Sequence, residues 1–503
     1  MQCFFLILGM DLATVSSALG SGPPNILILL ADDLGYGDPG CFNPDSKAPT
    51  PRIDRLARQG RRFTDAHSPS SVCSPTRYAI LTGRYAWRSR LKLGVLNSWD
   101  PALIESGRLT LPALLKQHGY QTAAFGKWHL GWNWATSGDR PLPDDGRGFP
   151  AGIDFNRPIT EGPTSCGFDH FFGMAGNTVM SPCLLEGDRP IFTGSRPPLN
   201  HLTKIEGLPH SLLDPWDERN SLPILTDRVV WYLDSLGSRP DRSPFFLYFA
   251  MTAPHAPIIP QDRFRGLTGH GGACDFVAQL DDTIGRVLDA IDRNGMAENT
   301  LVILTSDNGS PGFADEGAPT GSVIARYDHR PNGRWRGMKG DIHEGGHRVP
   351  MIARWPGHVP AGTTCDETVC LVDLMATCAS IVGERLPEDA GEDSHDILPA
   401  ILDQPHARPI RETTVHHALI GMFAIRRGDW KLILGRGSGG FTLPQSIPPE
   451  AGKPAGQFYN LRDDPGETRN RYTDRPDLVA ELTALLETYR RTGRSAPRRS
   501  STP

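Results

Sequence analysis

Carboxylate and amide side chains follow two separate apolar stretches of this sequence. Asp32 and Asp33 come directly after one stretch, and Asp307 and Asn308 come directly after another. Buried carboxylates repel one another unless a cation or a proton separates them. Ligands that are all oxygen suit Ca²⁺ or Mg²⁺ better than zinc. Because Asp and Asn also favour turns, either pair taken alone can equally be read as turn or cap chemistry.

A cysteine stands at the predicted start of a helix in residues 71–84, which read SVCSPTRYAILTGR. Pro75 suits the first turn of a helix and Gly83 suits its end. Cys73 therefore lies near a helix N-terminus, where the helix dipole stabilises negative charge. Arg77, one turn later, adds a fixed positive charge. The segment predicts a site for a nucleophile and an anion, although a lone cysteine here could also be a small buried residue in a turn.

Four short apolar runs, each ending abruptly in polar residues, are the elements that must position these groups. Runs of this length suit strands buried on both faces of a parallel sheet. Ligands bind such sheets at the carboxyl ends of the strands, so one pocket could gather the polar groups. The four predicted strands are Asn25–Leu30, Gln121–Phe125, Phe245–Met251 and Leu301–Leu304.

Amphipathic segments alternate with the predicted strands, and this alternation predicts an α/β fold. We expect a large mixed, mostly parallel sheet sandwiched by helices, with a smaller C-terminal antiparallel sheet plus one helix. The first segments of helical period are Arg52–Gln59, Thr110–His118 and Cys274–Asn294. Towards the C-terminus, Met422–Arg426 and Trp430–Leu434 read as strands, and a last helix starts near Asp474.

These patterns divide the chain into four parts. Residues 1–22 resemble a secretory signal peptide, because a short apolar run precedes small residues. No Lys or Arg precedes that run and Asp11 interrupts it, so a disordered leader or a misplaced start codon is the alternative. The other parts are a main α/β domain at 23–383, a C-terminal subdomain at 384–490 and a disordered basic tail at 491–503.

Composition excludes several classes of protein. The 503 residues include 54 Gly and 45 Pro, and this dense punctuation argues against a helical bundle, a coiled coil or a solenoid. A formal net charge of -5 makes nucleic acid a poor candidate partner. None of the nine cysteines forms a CxxC pair, which disfavours a zinc ribbon. No apolar run is long enough for a transmembrane helix, so we expect no membrane span.

The segment Cys73–Arg77 (CSPTR), extended by Leu81–Arg84 (LTGR), resembles the signature of type I sulfatases, which belong to the alkaline-phosphatase superfamily. Other motifs of that family follow in its order, and the resemblance spans roughly residues 24–490. The matching segments are Asp32–Asp33, Gly126–Gly131 (GKWHLG), Pro254–Pro257 (PHAP), Ser306–Gly309 (SDNG), Gly337–Gly340 (GMKG) with Glu344–Gly346, and Tyr459–Leu461 with Asp464–Glu467.

The resemblance implies a specific active site. Cys73 would be oxidised by a formylglycine-generating maturation enzyme to Cα-formylglycine, whose hydrate is the nucleophile. One Ca²⁺ is expected, in preference to Mg²⁺. The implied metal ligands are Asp32, Asp33, residue 73, Asp307 and Asn308. The implied catalytic residues are Cys73, Arg77, Lys127, His129, His255 and Lys339.

In the implied mechanism, one hydroxyl of the hydrated aldehyde attacks sulfur and the leaving alcohol takes a proton from His255 or Lys339. His129 then removes the second hydroxyl proton, which expels sulfate. Expected substrates are O-sulfate esters, either sulfated carbohydrates or aryl sulfates. The enzyme would be periplasmic or secreted, or cytoplasmic if the N-terminus is not a signal peptide.

Two other functions stay open on the sequence. Relatives in the same superfamily use a Cys-x-Pro-x-Arg site on phosphorus, so phosphonate or phosphate ester hydrolysis is the second enzymatic reading. A non-catalytic binder of sulfated glycans is the third, and it predicts an unmodified Cys73. The arginine-rich stretch 326–336 is either a solvated loop or one wall of an anion pocket. Asn177 is a loose match to a substrate-side position of the family.

Overall fold

The computed structural model describes residues 22–136, 153–176, 183–192, 218–239, 243–407 and 409–498. The leader predicted at 1–22 lies outside these ranges except for Gly22. Asn177 and the last five residues of the chain also lie outside them.

Strands and helices alternate through the first three-quarters of the described residues. The strands are β1 (Asn25–Asp32), β2 (Arg61–Phe63), β3 (Ala66–His67), β4 (Gln121–Lys127), β5 (His170–Met174), β6 (Leu184–Glu186), β7 (Arg189–Phe192), β8 (Phe245–Pro254), β9 (Thr300–Ser306), β10 (Met351–Arg354), β11 (Thr363–Cys365), β12 (Val369–Cys370), β13 (Thr413–His417), β14 (Phe423–Arg427), β15 (Trp430–Ile433) and β16 (Gln457–Asn460). The α-helices are α1 (Pro51–Gln59), α2 (Cys73–Thr82), α3 (Leu111–Gln117), α4 (Ser221–Gly237), α5 (Gly272–Arg293), α6 (Ser322–Tyr327), α7 (Glu344–His347), α8 (Leu374–Ile381), α9 (Leu398–Ile401) and α10 (Pro476–Thr492).

Ten of these strands form one sheet, in the order β11-β2-β10-β9-β1-β8-β4-β5-β6-β7. Its centre is parallel, since β1 pairs with β8 and β9, and β4 pairs with β8 and β5, all in the parallel sense. Antiparallel pairs flank this centre, with β10 beside β9 and β6 beside β5. The prediction of a large mixed, mostly parallel sheet is confirmed.

Alternate side chains of each central strand enter two different cores, which explains why these strands are apolar throughout. Ile26 and Ile28 of β1 belong to the core that contains residues of α2, α3 and α8. Leu27 and Leu29 belong to the opposite core, which contains residues of α1, α4 and α5. The sheet is therefore sandwiched by helices, and the carboxyl ends of β1, β4, β8 and β9 meet at one edge.

A smaller antiparallel sheet of β13-β14-β15-β16 follows, as predicted. One of its faces packs against α10 through Leu482 and Leu486, which contact a cluster that includes Ile425 and Phe458. The other face shares a cluster with Ile342, which follows the predicted Lys339 motif by three residues. The C-terminal sheet therefore supports the segment that carries Lys339.

The start of the basic tail differs from the prediction. Helix α10 continues to Thr492, and Gly493 ends it in the left-handed conformation, with φ of 72°. Beyond it, Ser495 donates hydrogen bonds to the Asp393 carboxylate through its amide and its hydroxyl, and Ala496 is buried. The prediction of disorder from residue 491 was wrong for residues 491–498, because these local partners hold the backbone in place.

None of the helices in the described ranges combines the length and the apolar character needed to cross a bilayer.

Candidate active site

The two acidic pairs lie side by side because β1 and β9 are parallel neighbours whose register pairs Ala31 with Ser306. Asp32 is the last residue of β1, and Asp33 turns the chain with a left-handed φ of 69°. Residues other than glycine rarely adopt this backbone conformation, and those that do often lie at functional sites. Here the turn lets both carboxylates face the same pocket, beside Asp307 and Asn308.

Hydrogen bonds join Asp33 to both of the polar residues that follow β9. The Asp33 amide donates to the Asp307 carboxylate at 3.2 Å, and the Asn308 amide nitrogen donates to the Asp33 carboxylate at 2.7 Å. That second bond fixes the amide orientation and leaves the Asn308 Oδ1 oxygen buried without a hydrogen-bond partner among the described residues. A buried oxygen without a donor fits a cation. The donor set therefore fits a hard divalent metal ion.

The electrostatics of the carboxylates point the same way. Burial raises the pKa of Asp307 to about 6, and the Asp32 carboxylate adds to this rise. Burial also opposes ionisation of Asp32, but Lys127, with His255 and Arg77, holds its pKa well below the usual range. A bound cation would relieve the repulsion between the two carboxylates.

Helix α2 brings the cysteine to this cluster. Cys73 is its first residue and is buried, and its sulfur lies 3.6 Å from Asp32 Oδ1. The end of the helix follows the prediction, with Gly83 at φ of 64°. The charge state of the thiol differs from the prediction. Burial, assisted by the Asp307 carboxylate, raises the Cys73 pKa to about 12, so the helix dipole does not make this thiol a thiolate. An unmodified Cys73 is a poor nucleophile.

Arg77 is directed at the acidic cluster. Its guanidinium donates to Asp307 Oδ2 through Nε at 3.0 Å and Nη2 at 2.7 Å. A third bond, from Nη1 to the Lys127 carbonyl at 2.7 Å, ties α2 to the end of β4. Arg77 therefore balances carboxylate charge and fixes the position of the residues around it.

Strand β4 and its turn supply a lysine and a histidine. Lys127 Nζ donates to Asp32 Oδ2 at 2.7 Å, and both side chains are fully buried. His129 has a left-handed φ of 56°, and its Nε2 bonds the Leu96 carbonyl at 2.7 Å. Burial, with the charges of Lys127 and Arg77, lowers the pKa of His129 well below its usual value. A neutral His129 donates from Nε2 and leaves the Nδ1 lone pair without a partner among the described residues.

His255 and Lys339 close the pocket on the side of Asp33. Lys339 Nζ lies 2.7 Å from Oδ1 and 2.8 Å from Oδ2 of the Asp33 carboxylate. His255, at the end of β8, places Nε2 3.7 Å from Asp33 Oδ2, and 14% of its side chain is exposed. Burial and the Lys339 ammonium lower the His255 pKa to about 4. All of the residues predicted for the site therefore meet in one pocket.

Other predicted features lie elsewhere. In the stretch 326–336, Arg326 pairs with Asp315 at 3.3 Å, Arg330 with Asp328 at 3.6 Å, and Arg336 bonds the Tyr459 hydroxyl at 3.3 Å. Those contacts favour a solvated loop over a pocket wall. His343 and His347 are buried in separate contacts, with Gln457 and His67.

Two contributions to the pocket carry no sequence signal. The Leu96 carbonyl orients His129, and any residue type could supply a carbonyl. Tyr248 lies within the apolar run of β8, where its hydroxyl is buried and has no hydrogen-bond partner in the part of the chain that the structure describes. Burial, opposed by the Arg77 charge, raises its pKa. In the sequence, a tyrosine within an apolar strand does not indicate a role in a site.

Comparison with known proteins identifies the family. A family model described as Sulfatase matches residues 24–384. An N-acetylgalactosamine-6-O-sulfatase of Bacteroides thetaiotaomicron is 31% identical over 506 aligned residues, which cover 93% of this chain and 94% of that protein. Arylsulfatase A of Homo sapiens is 32% identical over 472 residues, 91% of this chain and 85% of that protein.

A solved sulfatase structure supports the same assignment. It comes from work on the metabolism of multiple glycosaminoglycans by Bacteroides thetaiotaomicron, and it superposes with a TM-score of 0.78 at 31% identity. The alignment covers 94% of this chain and 100% of that one. Sequence likeness over nearly the whole length, with the motif residues already gathered in one pocket, shows that the chain belongs to the sulfatase family of sulfuric ester hydrolases.

Proposed function

We propose that this sulfatase hydrolyses O-sulfate esters of sulfated glycans, with aryl sulfates as model substrates. The observation that carries the proposal is the cluster of buried carboxylates around Cys73, edged by Lys127, Lys339, His129 and His255. Lysine and histidine side chains beside carboxylates that can hold a cation suit a small divalent anion such as sulfate. The names of two relatives, which act on N-acetylgalactosamine 6-sulfate, support a carbohydrate substrate.

We infer that Cys73 is converted to Cα-formylglycine by a maturation enzyme before the protein acts. The Cys73 sulfur then marks where a hydroxyl of the hydrated aldehyde stands, 3.6 Å from Asp32. Lys127 and Lys339 are placed to neutralise sulfate oxygens during the displacement. One hydroxyl of residue 73 loses its proton to solvent, and its oxygen forms a bond to the sulfur of the ester. As the ester S–O bond breaks, the alcohol takes a proton from His255 or Lys339, which both face Asp33.

His129 completes the proposed cycle. Its Nε2–H is held by the Leu96 carbonyl, so Nδ1 is the basic atom. In the second step Nδ1 takes the proton of the remaining hydroxyl on residue 73. The C–O bond to the sulfate then breaks, inorganic sulfate leaves, and the aldehyde is restored. The catalytic residues of this proposal are Cys73, Arg77, Lys127, His129, His255 and Lys339.

The metal is proposed to be one Ca²⁺, because the pocket offers oxygen ligands from Asp32, Asp33, Asp307 and Asn308, with residue 73 completing the set. When bound, the ion would lower the pKa of a hydroxyl on residue 73 and stabilise charge on the sulfate. Mg²⁺ demands a stricter octahedral geometry and is the weaker candidate.

Removal of the metal is expected to lower kcat/KM by about 100-fold or more, since metal activation contributes several kcal/mol. Dialysis against a chelator, followed by metal analysis and an assay, would measure this loss. Added Ca²⁺ should restore activity better than Mg²⁺. The midpoint temperature of thermal unfolding should be higher when the ion is bound. Full activity in protein shown to be metal-free would contradict the proposal.

A comparison of two chromogenic esters separates the proposed reaction from the phosphorus chemistry of the superfamily. We expect kcat/KM for 4-nitrophenyl sulfate to exceed that for 4-nitrophenyl phosphonate by about tenfold or more. Release of sulfate from N-acetylgalactosamine 6-sulfate would then test the glycan. A preference for the phosphonate would favour the alternative, and failure to turn over any ester while sulfated glycans still bind would favour a binder.

We further propose that the protein is exported, to the periplasm or beyond, and that residues 23–383 and 384–490 act as the catalytic domain and its C-terminal subdomain. The leader composition supports export. The packing of Ile342 against the C-terminal sheet supports joint action of the two parts.

A further inference from the structure

Large apolar side chains are exposed on three loops that meet beside the Lys339 segment. In the described residues, seven large apolar side chains are more than about a third exposed, and five of them belong to these loops. We call these five side chains the apolar rim. They are Leu93, Val95, Ile420, Phe441 and Leu443, with exposed fractions of 61%, 37%, 37%, 39% and 84%.

Backbone hydrogen bonds hold the three loops together. The Gly94 amide donates to the Leu419 carbonyl at 2.8 Å, which joins the first loop to the second. The Ile420 amide donates to the Gly439 carbonyl at 3.1 Å, which joins the second loop to the third. The five apolar side chains therefore stand on loops that are bonded to one another.

The rim is also anchored to the segment that carries Lys339. The Leu419 amide donates to the Gly340 carbonyl at 3.0 Å. Gly440 lies so close to Gly340 that a Cβ on Gly440 would collide with the Gly340 carbonyl carbon. Phe441 follows directly, and its ring begins 3.5 Å from the position that a Cβ on Gly340 would occupy. Phe441 therefore packs over the residue next to Lys339.

The opposite end of the rim reaches the other side of the pocket. Val95 precedes Leu96, whose carbonyl holds His129 at 2.7 Å. The Leu96 amide in turn donates to the hydroxyl oxygen of Ser74 in α2 at 3.1 Å, one residue after Cys73. The rim thus runs from the Lys339 side of the sulfate pocket to the His129 side.

The position of the rim beside the sulfate pocket indicates which part of a substrate it contacts. A sulfate group in the pocket would direct the rest of its ester outward, past Lys339 and His129. An apolar surface there would stabilise a neutral ring through its C–H face and would not bind a second anionic group. Resting on the proposed sulfatase function, we propose that the apolar rim binds the leaving-group ring of the substrate, with Phe441 as the stacking residue.

The test uses Phe441→Ala, because an exposed side chain can be truncated without loss of the fold. For N-acetylgalactosamine 6-sulfate and for 4-nitrophenyl sulfate, KM should rise by about three- to tenfold with kcat little changed. The inhibition constant of inorganic sulfate, which lacks a ring, should stay unchanged. Phe441→Trp should restore the wild-type KM, and Leu267→Ala, an exposed leucine outside the three loops, should leave it unaltered.

Four outcomes would overturn the proposal. If the wild type is active and KM is unchanged in Phe441→Ala, the rim proposal is wrong and the proposed sulfatase function still stands. A matching loss of sulfate inhibition would mean that the substitution disturbs the anion pocket instead. A wild-type dimer that dissociates in Phe441→Ala, seen by sedimentation, would make the rim an interface between copies. A wild type that hydrolyses no sulfate ester would end the proposed function and the rim proposal together.

Discussion

Replacement of Cys73 by serine is expected to abolish steady-state sulfate ester hydrolysis, with kcat lower by about 10⁴-fold or more, as for other lost nucleophiles. A serine at this position would have one hydroxyl and no aldehyde. Once sulfated, it would lack the second hydroxyl whose proton His129 removes to expel sulfate. The variant should at most release one equivalent of alcohol and then stop.

The measurement is product formation over many equivalents of enzyme, with a thermal unfolding midpoint to show that the fold is intact. Cys41→Ser is the matched control, because Cys41 is a free, half-buried cysteine outside the pocket. It should keep wild-type turnover. Continuous hydrolysis by Cys73→Ser at a rate near that of the wild type would contradict the aldehyde mechanism.

Mass analysis of the wild type supports the same argument. Trypsin should release residues 63–77 as one peptide containing Cys73. Conversion of its thiol to an aldehyde lowers the mass by about 18 Da, and an unmodified thiol would instead be alkylated by iodoacetamide. Because burial raises the pKa of the thiol to about 12, unconverted Cys73 would be a weak nucleophile.

Sequence patterns predicted the sheet well because its central strands are buried on both faces. Residues 26–30 are apolar at every position, and the structure places their side chains alternately in two cores. The observed β1 is longer than the predicted strand and includes Asp32. The polar end was missed because Asp32 still pairs with Pro254 of β8, beyond the apolar residues. Pairing with distant strands also decides short elements such as β2 and β11, which have no pattern of their own.

The site was predicted at the level of residues but not of charges. Motifs and strand ends placed Asp32, Asp307 and Lys127 at one edge of the sheet, which the structure confirms. The helix N-terminus at Cys73 suggested a stabilised negative charge, whereas burial and Asp307 raise the thiol pKa. Local sequence does not reveal the burial of a side chain beneath other elements. The role of the Leu96 carbonyl depends on backbone position alone and was equally hidden.

A buried group of charges behind the site shows the same limit and leads to the second large prediction. Lys431 of β15 is fully buried, with Nζ 3.0 Å from Glu344 Oε1 and 3.0 Å from Glu467 Oε1. Both carboxylates are also fully buried. Glu344 keeps a second partner in Arg348 at 2.9 Å, and Glu467 accepts from the Glu344 amide at 2.7 Å. Lys431 is therefore the cation shared by two buried carboxylates.

Lys431→Met is expected to lower the free energy of unfolding by about 3–5 kcal/mol, the usual result of removing one partner of a buried ion pair. Burial already raises the pKa of Glu467, and Lys431 opposes that rise. Without Lys431, Glu467 should take up a proton in the folded state. Urea unfolding at several pH values would measure both the loss and its pH dependence.

The sign of that dependence follows from the raised pKa. Below the unfolded value of about 4.5, Glu467 is protonated in both states, so its deficit vanishes. Above it, the unfolded state ionises while the folded state of the variant does not, and the deficit grows until the folded pKa is passed. The gap between wild type and Lys431→Met should therefore be larger at pH 7 than at pH 5. Lys453→Met, which removes an exposed lysine, should show no gap at either pH. An unfolding midpoint for Lys431→Met equal to that of the wild type would mean that the two carboxylates do not depend on this shared cation.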